Sequence, residues 1–213
     1  TVETVVHLRS KHLTAYQNPT LAVRYRQLVQ RVRDAESKLT PTRQVLTLLV
    51  AKRYAQLLAY KDEYEVARLY TDPAFLAEIQ ANFDGNYRLK FHLAPSWMTR
   101  GKQTKRELGP WVLRAMKVLS VFKFLRGTSM DPFGWQADRK LERQIISEFE
   151  ALLALVVDKL SADNLAQVIE LVGLFKNVRG FGHVKAENYQ RVQAELDSKV
   201  AKLFKITRQQ QVA

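Results

Sequence analysis

Apolar residues recur at intervals of three and four along most of this chain, and this helical period constrains the fold more than any other feature. The segment "NPTLAVRYRQLVQRVRDAESKL" shows the period most clearly, with its apolar residues on one helix face: Leu21, Tyr25, Leu28, Val29 and Val32. A helix with such a stripe buries it against other helices. With 46% hydrophobic residues among 213, the chain can form a substantial core. We therefore predict a mainly α fold, a bundle of about seven helices in a single domain over residues 1–213.

Capping residues and helix breakers set the predicted helix boundaries. Thr40 and Pro41 are a favourable cap and first residue for a helix of about 30 residues, "RQVLTLLVAKRYAQLLAYKDEYEVARLY". A short helix to about residue 82 follows Pro73, and "GPWVLRAMKVLSVFKFLRG" predicts another helix. Three further helices are predicted at about 137–160, 162–177 and 184–205. The sequence "RGFGH" predicts a tight connection before the last of them.

One segment departs from the helical period. Residues Tyr87, Leu89, Phe91 and Leu93 alternate with polar residues, after the turn signal "DG". The pattern predicts one short β-strand or hairpin element near 87–94. Because a lone strand cannot satisfy its own backbone groups, this strand must form a hairpin or join a sheet elsewhere. Residues 95–109 are predicted to be a loop.

Positive charge is concentrated around this strand. The chain carries a net charge of +13, and residues 86–127 hold ten Lys or Arg against one acid, Glu107. We predict that residues 86–127, the basic window, form a strand–loop–helix insert within the domain. Such an excess of one sign indicates an anionic partner.

Several chemistries are excluded or disfavoured by the residues present. The chain has no cysteine, hence no disulfide, no thiolate nucleophile and no cysteine-ligated cluster. Its four histidines lack metal-ligand spacing, with no His-x-x-x-His or His-Glu pairing, so we predict no metal site. There is no phosphate-binding glycine loop and no GxSxG motif. We assign no catalytic residue.

Two segments are weak candidates for an anion site. One is the basic loop between Trp97 and Trp111, and the other is the turn "RGFGHVK". The candidate residues are Arg100, Lys102, Lys105, Arg106, Arg179 and His183. The loop could bind nucleic acid, a phosphorylated ligand or an acidic protein surface, or its charge could be merely solvated. In the protein-docking alternative, we expect Trp97, Trp111, Phe122 and Phe124 to lie mostly in the core.

Five blocks carry a family resemblance: "LLAYKDEYEVARLYTDPAF", "YRLKFHLAP", "RELGPW", "LRGTSMDPFGW" and "RGFGHVKAENY". In their order and spacing they resemble the C-terminal region of the fused bacterial indolepyruvate ferredoxin oxidoreductases. The opening "LTAYQNPTLAVRYRQLVQRVRDAE" fits as well, so the resemblance spans nearly the whole chain. We therefore expect a C-terminal structural and interaction domain of a longer polypeptide.

The resemblance implies a cytoplasmic, homo-oligomeric parent enzyme that oxidatively decarboxylates aryl 2-oxoacids, forms an acyl-coenzyme A and reduces ferredoxin. Its cofactors would be thiamine diphosphate, Mg²⁺ and 4Fe-4S clusters, held by preceding domains and not by this segment. The expected partners are those catalytic domains and ferredoxin, and no membrane. Alternatively, the basic loop binds coenzyme A phosphates or acidic ferredoxin directly. Nucleic-acid binding is a remote alternative.

Overall fold

The structure of the chain is a computed structural model that describes residues 1–83, 85, 89–93 and 106–204. This part of the chain is mainly α-helical, as predicted, and clusters into two compact units. Unit 1 comprises Thr1–Tyr60 and Trp135–Ala213, and unit 2 is Lys61–Gly134. Unit 2 is thus inserted in the sequence of unit 1, and the basic window lies within it.

The described residues form nine α-helices, two strands and two 3₁₀ helices. In chain order these are α1 Val2–Tyr16, α2 Pro19–Ser37, α3 Val45–Leu58, α4 Glu63–Tyr70, α5 Pro73–Asn82, β1 Phe91–Leu93, β2 Arg106–Leu108, α6 Val112–Val121, a 3₁₀ helix Phe122–Leu125, α7 Ala137–Lys159, α8 Leu165–Gly173, a 3₁₀ helix Leu174–Asn177 and α9 His183–Phe204.

The core of unit 1 contains the stripe predicted for α2 and a run of aromatic rings. Tyr25 is fully buried and stacks on Tyr54, which stacks on Phe149, with ring centroids 5.9 Å apart in both pairs. Phe149 meets Phe175 edge to face at 4.6 Å. These rings come from α2, α3, α7 and the second 3₁₀ helix, so segments distant in sequence share one core.

Helix α3 begins later than predicted, because its cap comes from α2 and not from Thr40-Pro41. The buried carboxylate of Glu36 accepts hydrogen bonds from the N–H groups of Leu46 at 2.9 Å and Thr47 at 2.8 Å. It also accepts one from Thr47 Oγ1 at 2.6 Å. A carboxylate is favourable at a helix N-terminus, where free N–H groups and the helix dipole present positive charge.

The predicted helix of about 30 residues is wrong, since the segment forms two helices, α3 and α4. At Ala59 the backbone leaves the helical region, with φ −99° and ψ 55°. The carbonyl of the buried Tyr60 accepts a hydrogen bond from the Tyr16 hydroxyl at 2.9 Å. Helix α4 then begins after Asp62, whose carboxylate accepts from the Glu65 N–H at 2.8 Å. The break depends on these partners, which a helical period does not reveal.

Unit 2 contains the predicted β element as a short antiparallel hairpin. Strand β1 pairs with β2, with Phe91 opposite Leu108 and Leu93 opposite Arg106. The strand prediction is confirmed for β1, whereas residues 87 and 88 lie outside the described residues. The loop prediction is wrong for β2, which becomes a strand by pairing with β1.

A small core separate from that of unit 1 supports this hairpin. Phe91 packs with Ala67 of α4 and with Val112 and Met116 of α6, all of them buried. Tyr70 meets Phe91 edge to face, with ring centroids 5.5 Å apart. Helix α6 therefore turns one face inward, and this orientation decides which of its residues remain outside.

Candidate functional site

The described residues include only some of the predicted anion-binding residues. Arg100, Lys102 and Lys105 lie outside them, and Arg106 is described by its backbone alone, in β2. Arg179 and His183 are exposed and belong to unit 1, whereas Arg106 belongs to unit 2. A single phosphate site formed by all six residues therefore stays a prediction.

The tight connection predicted at "RGFGH" is confirmed. Gly180 and Gly182 have φ values of 109° and 56°, which glycine adopts more readily than other residues. The carbonyl of Arg179 accepts a hydrogen bond from Asn188 Nδ2 at 2.9 Å, and His183 is the first residue of α9. These contacts account for the glycines as turn residues.

Unit 2 exposes an apolar surface on the segment from Trp111 through α6 into the first 3₁₀ helix. Five apolar side chains there are between 43% and 65% exposed: Trp111, Val118, Val121, Phe122 and Phe124. We call these five residues the α6 apolar face. Along the helix, spacings of seven, three and four place Trp111, Val118, Val121 and Phe122 on one side. The segment therefore has apolar residues on two sides and buries one of them.

The expectation that the aromatic residues of this segment lie in the core is wrong for those described. Trp111, Phe122 and Phe124 are all exposed, because Val112 and Met116 occupy the buried side of α6. Trp97 lies outside the described residues. The basic window thus combines exposed aromatic rings with positive charge.

Cations accompany the α6 apolar face. The segment 111–127 contains Arg114, Lys117, Lys123 and Arg126 and no acidic residue. Arg114 and Lys117 are exposed on α6. Burial and the nearby guanidinium groups of Arg68 and Arg126 lower the pKa of Lys123. A partner for this surface would combine apolar and acidic groups.

A buried ion pair fixes the end of this segment to α4. Arg126 Nε lies 2.5 Å from Asp62 Oδ2, and a second guanidinium nitrogen lies 2.9 Å from Asp62 Oδ1. Both side chains are only 3% exposed. The guanidinium also lies over the ring of Tyr64, 5.5 Å from its centroid. Glu65, by contrast, pairs with Arg68 within α4 itself, at 2.7 Å.

Asp131 holds the loop that follows Arg126. Its carboxylate accepts hydrogen bonds from the Tyr64 hydroxyl at 3.1 Å and from the N–H groups of Gly127 at 2.9 Å and Phe133 at 3.1 Å. Burial and the nearby Asp131 raise the pKa of Tyr64, so the hydroxyl keeps its proton and remains a donor. Every carboxylate oxygen of Asp62 and Asp131 thus accepts at least one hydrogen bond. This arrangement anchors backbone and leaves neither group as an evident general base.

The described residues contain no cluster of three His, Asp or Glu side chains that could hold a metal ion. In the same part of the chain, no helix is long and apolar enough to cross a membrane. The binding of thiamine diphosphate, Mg²⁺ and iron–sulfur clusters by a parent enzyme stays a prediction.

Comparisons with known proteins identify a family but no individual relative. No curated protein and no solved structure matches the chain significantly. Residues 2–198 match the model of a family described as a family of unknown function, DUF6537. Since this match covers most of the 213 residues, the chain belongs to the DUF6537 family.

Proposed function

We propose that the chain is a protein-docking domain, the C-terminal structural and interaction domain of an indolepyruvate ferredoxin oxidoreductase, with no catalytic residue of its own. The observation that carries the proposal is the α6 apolar face, five exposed apolar side chains within fourteen residues of chain. Contiguous apolar surface with polar residues around it is typical of protein interfaces.

The composition of this surface suits a protein partner in particular. A few residues supply most of the binding free energy at many interfaces, and Trp is enriched among them, while Phe is enriched at interfaces in general. Arg114 and Lys117 stand beside them and would favour acidic groups on the partner's rim. The Asp62–Arg126 pair holds the segment in place before binding, which reduces the entropy lost on association.

Sequence blocks support the choice of partner. "RELGPW" ends at Trp111 and leads directly into α6, and "LRGTSMDPFGW" begins at Leu125, the last residue of the first 3₁₀ helix. Two of the blocks that resemble the oxidoreductase family therefore lie at the two ends of the α6 apolar face. The partner surface would be the thiamine diphosphate and iron–sulfur domains of the parent enzyme, in the cytoplasm. Those domains would bind the cofactors and perform the oxidative decarboxylation.

Calorimetric titration at low salt tests the proposal, with the chain titrated separately against those catalytic domains, ferredoxin and coenzyme A. We expect saturable binding to the catalytic domains. Trp111→Ala should weaken it by about 30-fold or more, the effect of losing one central aromatic contact. The matched control is Trp135→Ala, because Trp135 is also exposed but lies in unit 1. Absence of binding to the catalytic domains, or equal weakening by both substitutions, would contradict the proposal.

The exposed cations of α6 favour a second candidate, in which the basic window steers acidic ferredoxin toward the enzyme. Complementary charge raises the encounter rate and loses its effect as salt is added. Alanine substitution of four cations of this window should then raise the apparent Michaelis constant for ferredoxin at low salt and not at high salt. The four cations are Arg100, Lys102, Lys105 and, in β2, Arg106. An unchanged constant at low salt would eliminate this candidate.

A further inference from the structure

A cationic groove lies within unit 1, between α1 and α3. Its volume is about 400 Å³, and it is lined by Arg9, His12, Lys52, Arg53, Ala55, Gln56 and Ala59. All of these residues belong to the first 60 of the chain, and none lies in the basic window. The groove therefore shares no residue with the anion candidates found by sequence.

Helical spacing explains how these side chains converge. Arg9 and His12 are three residues apart on α1, and Lys52 and Gln56 are four apart on α3, so each pair shares one helix face. Ala55 and Ala59 leave room between the helices because their side chains end at Cβ. The result is a concave surface with long polar side chains around a small-residue floor.

No carboxylate in the part of the chain that the structure describes pairs with the Arg or Lys side chains of the groove. Elsewhere in unit 1, Arg24 pairs with Glu150 and Lys185 with Glu142. Within the described residues, no Asp or Glu oxygen lies within 4.0 Å of a charged nitrogen of Arg9, Lys52 or Arg53. Helix α3 contains no acidic residue at all. The positive charge is thus concentrated where the surface is concave.

Arg53 supplies the most informative geometry. One terminal nitrogen of its guanidinium donates to Gln56 Oε1 at 3.0 Å, which holds the side chain along the helix. Its Nε is shielded from solvent and donates to no acceptor among the described residues. A buried donor without an acceptor is unfavourable. The second terminal nitrogen of Arg53 makes no hydrogen bond to a described residue and is not shielded from solvent, so it can donate to an oxyanion in the groove.

We propose that this groove binds a phosphate-bearing small molecule. Arg9 and Arg53 offer planar guanidinium donors that match phosphate oxygens, and Lys52 adds a mobile point charge. The volume lies within the range of small-molecule sites, roughly 300–1,000 Å³. The inference goes beyond the docking proposal and does not depend on it, because the α6 apolar face lies in unit 2.

Calorimetric titration of the full chain with pyrophosphate, and in parallel with ADP, tests this site. We expect 1:1 binding of pyrophosphate at low salt, weakened at least about tenfold when Lys52→Gln and Arg53→Gln are combined. The matched control combines Arg191→Gln and Lys202→Gln, which removes one Arg and one Lys from exposed positions on α9. Tighter binding of ADP than of pyrophosphate would show that the groove also contacts the nucleoside, and equal binding would assign recognition to phosphate alone.

The result that overturns the proposal is absence of saturable binding by both probes, or equal weakening in the groove variant and the α9 control. Circular dichroism melting of each variant establishes that it is folded. If the double variant fails to fold, Arg9→Gln serves instead, because Arg9 is exposed on α1 and makes no described ion pair. It should weaken pyrophosphate binding at least about threefold, and unchanged binding would refute the assignment.

Discussion

Asp62 and Arg126 form the buried ion pair that ties the α6 segment to α4, and Asp62→Asn should destabilise unit 2 by about 3 kcal/mol or more. The magnitude follows from two features of the structure. Both side chains are 3% exposed, so the guanidinium left behind cannot be solvated. Two short hydrogen bonds at 2.5 and 2.9 Å lose their charged acceptor. Asparagine keeps an oxygen that can still accept the hydrogen bond from the Glu65 N–H. The loss of unfolding free energy therefore measures mainly the ion pair and not the helix cap.

Native-state hydrogen exchange measures this cost, because it gives the opening free energy of α4 and α6 separately from unit 1. Asp72→Asn is the matched control: Asp72 caps α5, its side chain is 39% exposed, and the change should stay within about 0.5 kcal/mol. Combining Asp62→Asn with Arg126→Met should cost less than the two single changes together, since no unpaired charge remains. A loss below about 1 kcal/mol in Asp62→Asn, or simple additivity in the double variant, would refute the reasoning.

Three further changes test other parts of the fold. Burial raises the pKa of Tyr25 to about 12, whereas an unfolded tyrosine ionises near pH 10, so Tyr25 should contribute about 3 kcal/mol to the stability that is present below about pH 10 and lost as pH rises toward 12. Tyr25→Phe should remove this contribution and so reduce the decline measured in urea titrations at each pH, and an unchanged slope would contradict it. Glu36→Gln should lower the unfolding free energy by about 2 kcal/mol, because the charged carboxylate that accepts three buried hydrogen bonds is lost. A loss below about 0.5 kcal/mol would disprove the capping role. Gly180→Ala should cost about 1–3 kcal/mol, since φ is 109° and the added Cβ would lie 2.9 Å from Val184 Cγ1; an unchanged melting temperature would argue against this strain.

Local patterns predict much of this fold because they act over a few residues. The stripe from Leu21 to Val32 specifies a buried helix face, and Asn18-Pro19 starts α2 as a capping residue and a helix-compatible proline should. Alternation near Phe91 identifies β1 for the same reason. The errors fall where the deciding contact is distant: Glu36 caps a helix ten residues further on, and β2 becomes a strand only beside β1.

The candidate sites, too, can be predicted from sequence only where local patterns decide them. Charge counts along the chain locate the basic window, but they do not show which face of α6 is outside, because that depends on how Met116 packs with Phe91. No sequence motif predicts the groove in unit 1, since Arg9 and Arg53 come from different helices with no shared pattern. Asp62 is likewise separated by 64 residues from Arg126, with which it forms the buried ion pair.

The most direct test of the docking account is a hydrogen-exchange footprint of the chain with and without the catalytic domains of the parent oxidoreductase. The account predicts slower exchange in peptides covering Trp111 to Leu125, with α9 unchanged as an internal reference. Unaltered exchange throughout the α6 segment in a complex that demonstrably forms would contradict it.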